Sequence, residues 1–352
     1  MKHFALLVIC SIGAALSGCD NSSSTPTAGT AATTQSSASS GSGAAAAAGT
    51  RTIAVIPKGT THEFWKSIHA GANKAAQETG CEIIWKGPVK EDESASQIAV
   101  VEDMINTGVS GIVLAPNDAN ALARVVDRAA QQKVPVVIID SDIKTDNYKS
   151  FVATDNHKGG EMGGALLAKL LGDKGKVIML RYQEGSASTA NRELGFLDEM
   201  KKHPNLQLVS INQYGGATGD SAQKQAENLL AAYKNADGSL SIDGVFTPNE
   251  STTFGMLRAL EAAKAAGKVK FVGFDASEKL VSALGAGEIN GLVIQDPVNM
   301  GYLGVKTMMD VLNGKTVDKR IDTGVHLATP ENVSTQEIKD LIHPPLDKYG
   351  VR

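Results

Sequence analysis

GIVLAPNDANALARVVDRAAQQKVPVVIID, residues 111–140, decides the fold of this chain. It opens on the continuously apolar run GIVLAP, passes through the helical pattern ANALARVVDRAAQQ, and returns to a second apolar run, PVVIID. Strands that are apolar along their whole length and rich in Val and Ile belong in a sheet with helices on both faces. Two such strands joined through a helix by short loops make a βαβ unit, and hence a parallel pair.

The unit repeats on either side. TIAVIP precedes EFWKSIHAGANKAAQE, and CEIIW precedes SASQIAVVEDMIN, where Ile98, Val101 and Ile105 fall at three- and four-residue spacing. Loops open the helices with Asp, Ser, Thr or Asn. After FVATDN the alternation starts afresh: KVIMLRY, a helix around 190–201, LQLVSINQY, a helix over 221–234, GVFTPN, a helix over 252–266, KFVGFDA, a short helix, then GLVIQDP. About ten strands are too many for one sheet in a chain of this length. The expected fold is α/β, with two lobes that are each a doubly wound parallel sheet.

The 352 residues carry 42% hydrophobic and 20% charged side chains, enough for a sizeable core. Net charge is −4, or −5 without the first 18 residues, which leaves 33 Lys and Arg against 38 Asp and Glu. That balance offers no nucleic-acid footprint and no polybasic membrane patch. Residues 1–18 have the form of a signal peptide: Lys2 and His3, then the short apolar run FALLVICSIGAALSG ending in small residues. Leu16-Ser17-Gly18-Cys19 resembles the bacterial lipobox, which implies lipid on Cys19; the alternative is a plain signal with a chance cysteine. Asp20 then implies retention at the inner membrane if the host is Gram-negative. Residues 19–50 read as the lipidated cysteine and a Ser/Thr/Ala/Gly tether. About 30 such residues reach roughly 30 Å, from about 5–6 Å × √n. Cys81 is then alone in the folded part, so no disulfide framework is expected.

An open α/β sheet binds ligands beyond the carboxyl ends of its strands. If two lobes face each other there, their strand tips share one cleft. The first series places Lys58, His62, Phe64, Trp65, Asp140 and Ser141 at such tips, with Asn117, Asp118 and Asp142 nearby. The second places Arg181, Tyr182, Asn249, Glu250, Asp275 and Gln295 there. Carboxylates and carboxamides satisfy hydroxyls that both donate and accept, and ring faces cover apolar C–H surfaces. The set suits a polyhydroxylated small molecule. Phe64 and Trp65 draw on a chain only 5% aromatic, and an amphipathic helix start is expected to bury one of two neighbours, not both.

Other chemistries fit poorly. HEFWKSIH departs from HExxH because Lys66 stands where the second zinc ligand belongs. His62 and His69 have no evident third ligand, so no metal is expected. GGEMGG lacks the Lys-Ser of a phosphate loop, and its glycines suit close helix packing; no cofactor is expected. There is no Gly-x-Ser-x-Gly elbow and no Ser/His/Asp arrangement that spacing would join, so no catalytic residue is assigned.

Taken in order, FWKSIHAGANKAA, GIVLAPNDANAL, VPVVIIDSD, ATDNHKGGEMGG, TANRELGF, GVFTPNESTTFGMLRAL, VKFVGFDASE and GLVIQDPVNMGYLGV resemble the periplasmic sugar-binding proteins of the ribose-binding type. The resemblance runs from about residue 51 to the late 320s. It implies a type I periplasmic binding protein: an N-terminal lobe of 51–154 plus 296–322, a C-terminal lobe of 155–295 plus 323–352, and a three-segment hinge near Thr154–Asp155, Gln295–Pro297 and Asp322–Gly324. It implies that Phe64 and Trp65 sandwich a sugar ring, while His62, Asp140, Arg192, Asn249, Asp275 and Gln295 hold hydroxyls. Plainer alternatives are core packing at a helix start for Phe64 and Trp65, a cap for Asp140, Asp275 or Asn249, an ion-paired helix arginine for Arg192, and a hinge bond for Gln295. Asn117 and Asp118 are assigned to capping the third helix.

The sequence departs from the family twice. Ser141 stands where an arginine is usual, and the loop YGGATGD offers only Tyr214 where an aromatic is usual. Lys58, Ser141 and Tyr214 are therefore secondary candidates. By resemblance the partners are a monosaccharide or similar polyol and the permease and ATPase subunits of an ABC importer. Alternatives are a sensory protein serving a chemoreceptor or sensor kinase, and an enzyme using the same cleft. On this reading Trp65→Ala abolishes the ligand response and leaves the unliganded fold intact.

Overall fold

The structure is a computed structural model describing residues 50–351. The expected signal peptide, Cys19 and all but the last residue of the tether lie outside the described residues. The first series is β1 (Thr52–Ile56), α1 (Glu63–Thr79), β2 (Glu82–Trp85), α2 (Ser94–Thr107), β3 (Gly111–Leu114), α3 (Ala123–Gln131), β4 (Val136–Ile139) and β5 (Ser150–Ala153). The second is α4 (Asn156–Leu171), β6 (Gly175–Arg181), α5 (Ala187–Met200), β7 (Leu206–Tyr214), α6 (Gly219–Ala231), β8 (Gly244–Phe246), α7 (Glu250–Ala262), β9 (Lys270–Phe274), α8 (Glu278–Gly285) and β10 (Gly291–Gln295). There follow α9 (Pro297–Leu312), β11 (Arg320–Asp322), β12 (Val325–Ala328) and α10 (Gln336–Ile342).

Two six-stranded sheets result, ordered β11-β5-β4-β3-β1-β2 and β12-β10-β9-β8-β6-β7. All strands of the first pair in parallel; in the second, β12 alone runs antiparallel, against β10. The βαβ reading of residues 111–140 holds in register, with Ile112 opposite Val136 and Leu114 opposite Ile138. Alternate residues of each strand enter different cores: Ile53 and Val55 pack on one face of the first sheet, Ala54 and Ile56 on the other. The second sheet does likewise with Val177 and Met179 against Ile178 and Leu180.

Beyond the count of about ten, the described residues hold twelve strands. β11 and β12 are only three and four residues long, with sequences RID and VHLA. Their charged and polar side chains hide them from a search for apolar runs. Helix starts also shift: α7 begins at Glu250 because the Asn249 side chain accepts from the Thr252 N–H.

The chain passes between sheets after β5, after β10 and after β11. Arg320, at the start of β11, reaches the end of β5 and the first of these passages, donating from Nη1 to the Ala153 carbonyl at 2.7 Å and from Nη2 to that of Thr154 at 3.0 Å. The last turn of the chain, Leu346–Tyr349, lies against α1, where Asn73 donates to the Tyr349 carbonyl at 2.9 Å.

Glycines set how close the helices approach. A Cβ on Gly160 in α4 would meet the Arg192 carbonyl of α5 at 1.9 Å, and one on Gly195 would meet the His157 carbonyl at 2.0 Å. Backbone therefore touches backbone, and α5 is held at one depth against α4. That contact fixes where Arg192 emerges.

Candidate functional site

Two aspartates anchor the site. Asp140 directly follows β4 and Asp275 directly follows β9, with φ of 61° and 69°. A side chain resists this left-handed region, though Asp tolerates it better than most, and such strain gathers at functional sites. Lys58 places Nζ 2.7 Å from Asp140 Oδ2. Asp275 accepts from Gln295 Nε2 at 2.7 Å and from the Glu250 N–H at 2.9 Å.

Arg192, 2% exposed, lies between the two carboxylates, 3.9 Å from each. Its Nε donates to Asn156 Oδ1 at 2.7 Å, its Nη1 donates to the Pro248 carbonyl at 3.0 Å, and the guanidinium stacks on Phe274 at 4.0 Å. Burial pushes the Asp275 carboxyl pKa up, and the nearby guanidinium opposes the rise.

A second cluster forms around Glu91, in the loop after β2. Its Oε1 lies 2.7 Å from His62 Nδ1 and accepts from the Trp65 indole N–H at 2.7 Å. Its Oε2 accepts from the Tyr182 hydroxyl at 2.6 Å. Burial lowers the pKa of His62, but the Glu91 charge and hydrogen bond override it and carry the pKa up to about 9. Burial raises that of Glu91, and the same pairing overrides it down to about 2.

The aromatic pair is a corner, not two plates. Phe64 and Trp65 meet edge to face, with centroids 5.0 Å apart and planes at 85°. Successive helical residues point about 100° apart, so neighbours cannot clasp a ring between them. That corrects the expected sandwich. Trp65 is 3% exposed and packs in the core with Ile53, Val55 and Val113. The expectation that Trp65→Ala leaves the unliganded fold intact is corrected with it, because the indole is also core.

The lobes meet directly. Lys58 donates to Ser188 Oγ at 2.8 Å, Tyr182 donates to Glu91, and Ser188 N–H donates to Ser141 Oγ at 3.0 Å. Ala119 N–H donates to the Gly185 carbonyl at 2.9 Å. Glu250 accepts from the N–H groups of Glu63 and Phe64 at 3.2 and 3.1 Å. This is a closed arrangement.

Inside the seam is a small cavity. Of the expected residues, His62, Phe64, Trp65, Asp140, Arg192, Asn249, Asp275 and Gln295 all line it, and so does Lys58. Ser141 and Tyr214 do not. The Ser141 hydroxyl is spent on the Ser188 N–H, and Tyr214 lies under Arg181 at the end of β7. Asn249 is both cap and wall, so its two readings are compatible. Asp118 accepts from the N–H groups of Asn120 and Ala121 ahead of α3, whereas the fully buried Asn117 side chain has no partner among the described residues and caps nothing, which corrects its assignment.

Glu91, Ser188, Thr189 and Glu250 also line the cavity. Glu250 stood at a strand tip in the sequence; Glu91 sits in the polar loop GPVKEDES, where nothing distinguished it from solvated neighbours. Four lining residues keep a buried polar atom with no hydrogen-bond partner among the described residues; Asp140 Oδ2 is ion-paired with Lys58, which leaves His62 Nε2, Arg192 Nη2 and Gln295 Oε1. Buried polar groups are normally paired, and these three, unlike the equally unpaired Asn117, line the cavity. Among the described residues no cluster of His, Cys, Asp or Glu is arranged to hold a metal.

Residues 53–316 match the periplasmic binding protein domain family. The ribose import binding protein of Bacillus subtilis is 30% identical over 282 residues, covering 79% of this chain and 87% of that one. Among solved structures, an ABC transporter solute-binding protein from Agrobacterium vitis with bound D-fucose is 35% identical. It has a TM-score of 0.78 and covers 83% of this chain and 100% of its own. A carbohydrate transporter solute-binding protein from Agrobacterium radiobacter in complex with D-arabinose is 34% identical, with a TM-score of 0.79 over 84% of this chain and 99% of that one.

Proposed function

The chain belongs to the periplasmic binding protein domain family, in its sugar-binding ABC transporter branch, and from that premise we propose that it binds a neutral monosaccharide or similar small polyol between its lobes and delivers it to an importer. The ligand joins both lobes and so favours the closed state by its differential affinity. Phe64 and Trp65 present a ring corner to the apolar face of the sugar. His62, Asp140, Arg192, Asn249, Asp275 and Gln295 take its hydroxyls.

The observation that carries this reading is the trio of unpartnered buried atoms, two on potential donors and one on an acceptor, converging from both lobes. Charge refines it. The cavity walls hold Lys58, His62 and Arg192 against Glu91, Asp140, Glu250 and Asp275. Three cations facing four acids leave no positive surplus for a sugar acid or phosphate.

The lipid on Cys19 and the membrane partners belong to the same proposal. No described helix is long and apolar enough to cross a membrane. A domain held by a lipidated N-terminal cysteine on a tether stays close to a permease and its ATPase subunits. Periplasmic placement follows from the family.

A thermal-shift screen over neutral monosaccharides, polyols, a uronic acid and a sugar phosphate tests the reading, since a ligand bound by the folded state raises the melting temperature. A rise with one or a few neutral sugars is expected. Stabilisation by the acidic sugars alone, or by none of the panel, would overturn it.

A further inference from the structure

Glu91 sits among the recognition residues, yet its own carboxylate is already occupied. Oε1 serves both His62 Nδ1 and Trp65 Nε1 at 2.7 Å, and Oε2 serves the Tyr182 hydroxyl at 2.6 Å. A carboxylate offers about four acceptor sites, and three charge-assisted bonds to one buried group leave little for a ligand. Two of its three partners belong to the first lobe and meet the cavity. The third, Tyr182, is fully buried and belongs to the second lobe. Burial and the neighbouring carboxylate both raise the Tyr182 phenol pKa, so it remains a donor.

We propose that Glu91 is the positioning residue of the site: it fixes the aim of the His62 and Trp65 side chains and is the seat on which Tyr182 lands when the lobes close. The inference rests on the cleft taking a polyol, and it adds a requirement on that ligand. With Nδ1 pointed at Glu91, the imidazole turns Nε2 into the cavity, where it has no partner among the described residues. The paired imidazole holds its proton up to a pKa of about 9, so both ring nitrogens donate. The ligand must therefore place an acceptor there, either a hydroxyl lone pair or a ring oxygen. Recognition and closure converge on one side chain, since the carboxylate that arms His62 also receives the second lobe.

Glu91→Gln keeps the shape and removes the charge, and Tyr182→Phe removes only the bond from the second lobe. The His62 titration is followed by NMR in unliganded protein, with the signal assigned by its loss in His62→Asn. In the open, unliganded protein the first-lobe pairing with Glu91 persists, so the wild-type midpoint is expected above the ordinary histidine value of about 6.5. In Glu91→Gln it falls to or below that ordinary value, because the charge that raises it is gone, and affinity for the neutral sugar found in the screen drops roughly tenfold or more. In Tyr182→Phe affinity also drops severalfold, with the His62 midpoint unmoved. Equal midpoints in wild type and Glu91→Gln, or unchanged affinity in both variants, would overturn the assignment. A wild-type protein that binds no neutral sugar defeats the functional reading instead, and the titration still decides the role of Glu91.

Discussion

The carboxylate of Glu250 caps the helix that begins at Glu63, on the other lobe. It accepts from the N–H groups of Glu63 and Phe64, while the Glu63 carboxylate crosses in the opposite direction and accepts from the Glu278 N–H at 3.0 Å. Neither helix caps itself: His62 before α1 and Ser277 before α8 make no side-chain capping bond. Each lobe thus completes a helix of the other, and only in the closed state. Losing an N-cap costs about 1 kcal/mol. Glu63→Ala and Glu250→Ala are each expected to weaken sugar binding by roughly fivefold, that energy expressed as affinity. The melting temperature of unliganded, open protein should hardly move. Calorimetric titration and unliganded melts check both, and equal losses in the two measurements would make the pair ordinary stabilisers instead of a latch.

Acid should tighten closure. Burial raises the Glu250 pKa to about 7, with Asp275 adding to the rise and His62 and the two N–H groups opposing it. Opening takes away the two N–H groups and exposes the carboxyl to solvent, which returns its pKa toward the ordinary carboxylate value of about 4.3. The closed state then binds a proton that the open state does not, between the ordinary value and about 7. By linkage, affinity is greatest at the acid end of that window and declines as pH rises through about 7. Glu250→Gln should flatten this part of the profile. A wild-type affinity that instead rises with pH from 5 to 8 would contradict the sign.

The aromatic corner separates recognition from folding. Trp65 is core as well as wall, so Trp65→Ala is expected to cost about 3–5 kcal/mol of unliganded stability, as large aromatic truncations do. Phe64 is only half-buried, and its removal opens a smaller hole. Phe64→Ala should weaken sugar binding roughly tenfold, equivalent to about 1.4 kcal/mol, with a small change in the unliganded melt. Were Phe64→Ala to bind normally, the ring would be packing and not recognition.

What the sequence could show was local. Strand tips are legible because apolar runs end abruptly, so the sequence alone places Asp140, Asp275 and Gln295 at the tips that line the cavity. The twofold α/β organisation was legible for the same reason. Features made by one lobe meeting the other were not. Glu91 gains its meaning from a tyrosine 91 positions away, and Ser141 turned out to serve Ser188 across the seam, not the cavity. The Glu63–Glu250 exchange has no local signal, since both residues look like ordinary acidic first-turn residues. The strands β11 and β12 are not legible, because three or four mixed residues carry no period.

The GGEMGG glycines provide the last test, because they connect helix packing to Arg192. With a Cβ at Gly160 only 1.9 Å from the Arg192 carbonyl, α4 and α5 must part. Overpacking of this kind costs typically 1–3 kcal/mol. The larger consequence falls on binding, because Arg192 spans both aspartates at 3.9 Å and has its Nε and Nη1 fixed on Asn156 and Pro248. Moving its backbone breaks a geometry that tolerates little displacement. Gly160→Ala is expected to lower the unliganded melting temperature by several degrees, about 2–4 °C per kcal/mol at this size, and to weaken sugar binding by more than that loss alone explains. Melts and titrations on the same preparation measure both. Wild-type stability and affinity in this variant would mean that α5 has room to retreat, and that the glycine contact does not set the position of the arginine.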